Sequence, residues 1–158
     1  MSAEFGDLDT AMMERALELA KRAAAHGDVP IGAIVAKGPE VLAGAGNERE
    51  LRRDPTAHAE VLALRAAAEH LGGWRLAGTT LYVTLEPCLM CAGAISLARV
   101  PRLLFGAADP KGGALGGVVD AYAPPASDVL NHRPAVAGGL LAEECGRLLA
   151  SFFAERRG

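Results

Sequence analysis

Strand-like and helix-like segments alternate along this chain after an opening hairpin, and that order limits the fold more than any other feature of the sequence. Residues 9–26 carry Met13, Leu17, Ala20 and Ala24 at helical spacing, with Asp9 or Thr10 able to cap the start and Gly27 to stop it. Residues 31–37 and 41–46 read as short strands joined by Gly38-Pro39. A charged loop, 47–54, leads to a second helix over about 56–71, with Asp54 or Thr56 as cap and Pro55 suited to its first turn. Residues 80–85 alternate β-branched and aromatic side chains as a strand does. Pro87 breaks that strand, and 88–99 reads as a third helix. An apolar strand at 102–107, a glycine-rich loop at 109–117, an irregular stretch, a short strand at 135–138 and an amphipathic helix at 140–156 complete the order. Such an alternation predicts an α/β fold: a mixed sheet of about five strands covered by helices on both faces.

A length of 158 residues and the absence of a repeat or linker predict one domain, 1–158. A domain of this size buries roughly 70% of its unfolded surface and needs neither disulfide nor metal merely to fold. A metal site in it is therefore expected to serve function. The three cysteines, Cys88, Cys91 and Cys145, are an odd number; no basic-then-apolar leader precedes them and no apolar stretch reaches membrane-spanning length. A cytoplasmic protein with reduced thiols and no membrane association is the expectation. The net charge of −3 excludes a broadly basic surface, so a nucleic-acid substrate would need a local patch. Arg49, Arg52 and Arg53 form one such cluster, and Arg156 and Arg157 lie beside Phe152-Phe153, although charge runs are also common on solvated faces.

Two segments carry chemistry: His58-Ala59-Glu60 and Pro87-Cys88-Leu89-Met90-Cys91. Cysteines three apart at a helix start share one face, where exposed amides and the helix dipole favour thiolates. One imidazole added to two thiolates suits zinc and leaves a fourth position for water, whose pKa the metal lowers toward neutrality. Glu60, near the metal without ligating it, can take a proton from that water and deliver it to a ring nitrogen and then to departing ammonia. The spacing sets a condition. In mid-helix, residues two apart point to nearly opposite faces, so His58 and Glu60 converge only if both lie in the first turn.

Taken alone, Cys-x-x-Cys also fits a redox pair, half of a structural zinc site or two buried thiols. The redox reading lacks a preceding aromatic residue, and a structural site lacks a fourth ligand. Cys145 falls in the apolar pattern of the last helix and reads as core; His26 and His70 sit at helix ends as solvated or stabilising residues. Joined to His-x-Glu, Pro-Cys-x-x-Cys becomes the signature of the zinc nucleobase deaminases.

Beyond that signature, the sequence resembles the bacterial tRNA-specific adenosine deaminases along nearly its whole length. The resemblance rests on Asp28 to Ala33, on Asp54-Pro55-Thr56-Ala57-His58-Ala59-Glu60, and on Leu81 to Cys88. It continues through Met90-Cys91-Ala92-Gly93-Ala94, Asn131-His132-Arg133 and Ser151-Phe152-Phe153. It implies the cytidine-deaminase-like three-layer α/β/α fold, one Zn2+ per subunit, a homodimer, and conversion of adenosine to inosine at the wobble position of a tRNA anticodon loop. It further implies that Asn47 holds the target nucleotide and that Val29 walls the base pocket. Asp109 would read the ribose 2′-hydroxyl, and Asn131 would touch the anticodon-loop backbone. From the residues alone, Asp109 serves equally as a turn former and Val29 as core, and a turn role is also open to Asn47. The family usually has Ser where this chain has Gly117, which puts the conformation of the 109–117 loop in question. Two rivals stay open: a deaminase of free guanine, cytosine or cytidine, which shares every zinc and proton-carrying residue, and a non-catalytic subunit, which would be expected to lack Glu60.

Overall fold

A computed structural model describes residues 5–157; Met1 to Glu4, Gly158 and the side chain of Arg157 lie outside the described residues. Five strands form one mixed sheet in the order β2-β1-β3-β4-β5: β1 Gly32–Lys37, β2 Glu40–Gly46, β3 Thr80–Leu85, β4 Arg102–Ala107 and β5 Ala135–Gly138. Strand β1 runs antiparallel to β2 and β3, whereas β3, β4 and β5 are parallel. The helices are α1 Asp7–Ala25, α2 Arg49–Arg52, α3 Ala59–Leu71, α4 Leu89–Leu97 and α5 Ala142–Arg157. Among the described residues, no helix is long and apolar enough to cross a membrane.

The period of two along the strands sorts the core into two layers. Ala33, Val35, Leu81, Val83, Leu103 and Phe105 pack with Ala59, Ala63, Leu64 and Ile95 of α3 and α4. The intervening Ile34, Ala36, Tyr82 and Leu104 face Met12, Met13, Ala16 and Leu17 of α1 and Cys145 of α5. Cys145 is thus core, as expected. The β1–β2 turn is Gly38-Pro39, with Gly38 at φ +55°, and Leu42 is an extra residue on β2 that bulges the hairpin.

Several boundaries differ from the sequence reading, each for a local reason. Helix α1 starts at Asp7 with Gly6 as its N-cap, so neither Asp9 nor Thr10 caps it. Asp9 is instead buried: Oδ1 accepts from the Tyr82 hydroxyl at 2.8 Å and from Arg102 at 2.9 Å, and Oδ2 from Arg102 at 2.8 Å. Helix α3 begins at Ala59, three residues later than the predicted start. Asp54 is occupied with a turn, accepting from the Thr56 amide and hydroxyl at 2.8 Å each, and it caps no helix. The stretch read as loop contains α2, whose brevity leaves no apolar period to detect.

Asp9 ties α1 to β3 and β4. The Arg102 bonds, foremost, and the Tyr82 bond hold its carboxyl below the ordinary value of 3.8 despite opposing burial. A depressed folded pKa means that the stabilisation is complete above the unfolded value and is lost as pH falls through the folded one. Asp9→Ala is expected to cost about 2–4 kcal/mol in urea unfolding at pH 7, Arg102 being partly exposed. It should also flatten the loss of stability below about pH 4; an acid limb identical to that of the parent would contradict this.

Candidate metal and substrate site

The loops that follow β3 and β4, and those that precede β1 and follow β2, all lie at one end of the sheet, where the parallel strands finish. Ligands of open α/β sheets bind at that end. There, α3 and α4 begin side by side. His58 is the N-cap of α3 and Cys88 the N-cap of α4, both in extended backbone. Glu60 is the second residue of α3 and Cys91 the third of α4, so the condition on His58 and Glu60 is met. A side chain leaving an extended cap is not bound by the helical period, and this resolves the opposite-face difficulty.

The His58 Nδ1 atom lies 3.7 Å from Cys88 Sγ and 3.5 Å from Cys91 Sγ, and all three donor atoms fall within 4.8 Å of one another. Zinc bonds of about 2.05 Å to nitrogen and 2.3 Å to sulfur, at a tetrahedral angle, put N and S roughly 3.6 Å apart. The donors present therefore fit a zinc ion in chemistry and in spacing. Cys88 is pulled down to about 4, first by its bond with Cys91 and then by His58. Cys91 is pushed up, first by that same bond and then by burial. The bond to Cys88 raises His58. Glu60 is 4% exposed; burial, above all, pushes its carboxyl up to about 7, against bonds to its own amide and to Cys91.

The residues expected to meet substrate are distributed unevenly. Val29, Leu85, Asp109, Leu149 and Phe153 line one cleft of about 640 Å³. Asn47 is buried beside Val29: its Nδ2 donates to the Val29 carbonyl at 3.2 Å and its Oδ1 accepts from the Arg49 amide. The next residue bonds the Ala57 carbonyl, which sets Asn47 beside the His58 segment. Asp109 Oδ1 accepts from the Lys111 and Gly112 amides, a turn-forming role that leaves Oδ2 without a hydrogen bond among the described residues. Asn131 is exposed and is not brought to this group within one chain. Its neighbour His132 is pinned to Ser96 and Val100, at the far end of the helix that begins at Cys88. Gly117 answers the question of the loop. A Cβ there would overlap the Asp109 carbonyl oxygen, so the loop takes a closed path that a Ser would have to displace.

Two buried carboxylates went unassigned in the sequence. Asp28, wholly buried, accepts from the Glu50 amide at 2.6 Å and the Leu51 amide at 3.2 Å, capping α2, and pairs with His26 at 3.0 Å. Glu86 accepts three amides of the 109–117 loop. An acidic residue closing an apolar strand immediately before a proline, Val83-Thr84-Leu85-Glu86-Pro87, was the available signal for the second.

A His/Cys/Cys donor set with a buried Glu, opened by two helix caps at the end of a mixed sheet, defines the class: a zinc nucleobase deaminase. Comparison with known proteins agrees. The MafB19-like deaminase family model matches residues 8–133. A tRNA-specific adenosine deaminase of Bacillus subtilis (strain 168) is 47% identical over 149 residues, covering 94% of this chain and 91% of the relative. One from Haemophilus influenzae is 46% identical over 155 residues, covering 96% and 86%. A solved tRNA:A34 deaminase, from work on A-to-I editing at the wobble position of transfer RNA, superposes with a TM-score of 0.84 at 46% identity, covering 89% of this chain and 99% of that one. A guanine deaminase from Nitrosomonas europaea superposes with a TM-score of 0.79 at 25% identity, covering 98% and 86%. The chain belongs to the family of the tRNA-specific adenosine deaminases.

A domain of this size buries enough surface to fold without a metal, so loss of the ion is expected to leave the fold standing. His58→Ala, Cys88→Ala and Cys91→Ala should each strip metal from the purified protein while the far-UV circular dichroism of helix and strand persists. Unfolding of the protein on chelation of its metal would count against this.

Proposed function

We propose that this single domain is a cytoplasmic enzyme that hydrolytically deaminates adenosine to inosine at the wobble position of tRNA anticodons. One zinc ion per subunit is held by His58, Cys88 and Cys91, and Glu60 carries protons. The observation that carries the reaction type is the meeting of a desolvated carboxyl group with three metal donors at two helix caps. The choice of substrate rests on the named relatives at 46–47% identity.

Zinc bound there would supply Lewis acidity and lower the pKa of a water toward neutrality. Glu60 does the proton work at its carboxyl oxygens. It accepts a proton from the attacking water and passes it to a ring nitrogen as oxygen adds at C6, then carries the second proton, from the added hydroxyl, to the amino group as the C6–N bond breaks and ammonia leaves. A carboxyl group pushed up to about 7 exchanges protons in both directions near neutral pH. Val29 forms an apolar wall for the base, Asn47 holds the nucleotide, and Asp109 presents Oδ2 to the ribose 2′-hydroxyl. Asn131 contacts substrate backbone away from the reacting base. Arg49 and Arg52 pair with Glu50 and Glu48 at 3.6 and 3.4 Å, whereas Arg53, held at φ +53°, has no ion pair among the described residues. Arg156 stacks on Phe152 at 4.1 Å. These groups suit phosphates and unstacked bases of a loop.

The proposed homodimer has a candidate face on α3 and α4. A groove of about 330 Å³ is lined by Val61, Leu64, Arg65, Trp74 and Leu97, and α4 also exposes Leu89 and Met90. Leu97 is 69% and Trp74 57% exposed, an apolar concentration that a second copy would cover. Pairing also doubles the few arginines available to an anionic substrate.

Glu60→Ala should retain its zinc and lose about 10²–10⁴-fold in turnover of an unmodified anticodon stem-loop. Ammonia release from free guanine, cytidine or adenosine, and none from the stem-loop, would sink the tRNA reading. Sedimentation equilibrium should give a dimer for the parent and a monomer for Leu97→Arg; a monomeric parent removes the proposed dimer.

A further inference from the structure

Glu86 is 3% exposed, one residue beyond β3 and two before Cys88. Its Oε1 accepts from the Asp109 amide at 3.0 Å; its Oε2 accepts from the Leu115 amide at 2.9 Å and the Gly117 amide at 2.8 Å. No lysine or arginine pairs with it among the described residues, so the carboxyl group is matched by loop backbone alone. The fit is close. A Cβ on Gly113 would fall inside the Glu86 carboxyl group, and one on Gly117 would meet both that group and the Asp109 carbonyl. The backbone continues the same connection: the Glu86 amide donates to Ala107 at 2.8 Å, and the Ala114 amide donates to Pro87 at 2.9 Å. The residue that leads the chain into the Cys88 cap therefore also serves as the template on which the 109–117 loop is folded.

We propose that Glu86 is a positioning residue. Its carboxyl group sets the Asp109 wall of the cleft at a fixed place relative to the metal donors, and so acts on substrate binding and ribose discrimination rather than on bond making. The assignment rests on the reading of Asp109 as the group that meets the ribose. Charge-assisted acceptance of three amides pre-pays the ordering of a glycine-rich loop that would otherwise be ordered only when substrate arrives. A residue acting only on general stability would lower the melting temperature and leave the balance of KM, kcat and ribose preference as it was.

The test uses the zinc-loaded enzyme with an anticodon stem-loop and with the same stem-loop carrying 2′-deoxyribose at the target nucleotide. Glu86→Gln, which presents an amide –NH₂ to backbone N–H donors, is expected to keep one zinc per chain. It should raise KM by about tenfold and shrink the ribose preference to that of Asp109→Ala, with kcat held within about threefold. The double variant Glu86→Gln/Asp109→Ala should be no worse than Asp109→Ala, because the two residues act through one contact. Amide hydrogen exchange should speed up at Asp109, Leu115 and Gly117. If Glu86→Gln loses zinc or fails to fold, Gly113→Ala supplies the same perturbation from the loop side and should reproduce the KM and ribose effects with zinc intact. Unchanged KM and ribose preference in Gly113→Ala, or a fall in kcat at constant KM, overturns the proposal. A parent enzyme inactive on the stem-loop refutes the tRNA reading instead, and Glu86 is then judged by KM on whichever substrate is turned over. An Asp109→Ala variant with full ribose preference refutes the Asp109 role, and KM and exchange still decide Glu86.

Discussion

The site depends on two helices beginning at the same point. His58 and Cys88 are the last extended residues before α3 and α4, and those helices share the sheet face lined by Ala33, Val35, Leu81 and Val83. Ala59 and Ala63 of α3 pack in one core cluster with Ile95 and Ala94 of α4, and side chains this small let the two helices approach closely. The bond from the Cys91 thiol, then His58 and the Cys91 amide, hold Cys88 toward thiolate, and long side chains on the first turn lean back toward the N-terminus. Convergence of one imidazole and two thiolates follows from this packing. If the helices slid past one another by a turn, no choice of side chains would restore it.

Four carboxyl groups are buried among the described residues, and their surroundings separate their roles. Asp9 is saturated by Arg102 and Tyr82, Asp28 by two amides and His26, and Glu86 by three amides. Each is held in place by donors that have no part in a reaction. Glu60 has only its own amide and the Cys91 thiol, and burial pushes it up to about 7. A carboxyl group with few donors is the one able to gain and lose a proton near neutrality. Asp28 and Glu86 bind different segments: one caps the short helix after Asn47, the other gathers the glycine-rich loop after Asp109.

Much of this was legible along the chain because the signals are local. The hairpin at Gly38-Pro39, the alternation in Thr80–Leu85, the break at Pro87 and the apolar setting of Cys145 all report on neighbours within a few residues. The helix starts were read less well for the same reason. Asp9 and Asp54 look like caps in isolation, yet Arg102, 93 residues away, claims the first, and a turn with Thr56 claims the second. The short helix α2 was invisible because its cap comes from Asp28, 22 residues upstream of Glu50.

By itself, the sequence determined the reaction class: residue types and spacing in His-Ala-Glu and Pro-Cys-Leu-Met-Cys restrict the chemistry to what those donors and that carboxyl group can do. It also determined the order of elements, since hydrophobic period and turn residues are properties of short windows. Only the tertiary structure decided that His58 and Glu60 escape the opposite-face geometry of a helix, that Asp109 and Val29 share a cleft while Asn131 stands apart from it, and that Glu86 is tied to a loop more than twenty residues ahead. Those facts depend on which strand lies beside which and on where a buried charge finds its donors. Chain proximity encodes neither; both are settled by the packing of the whole sheet.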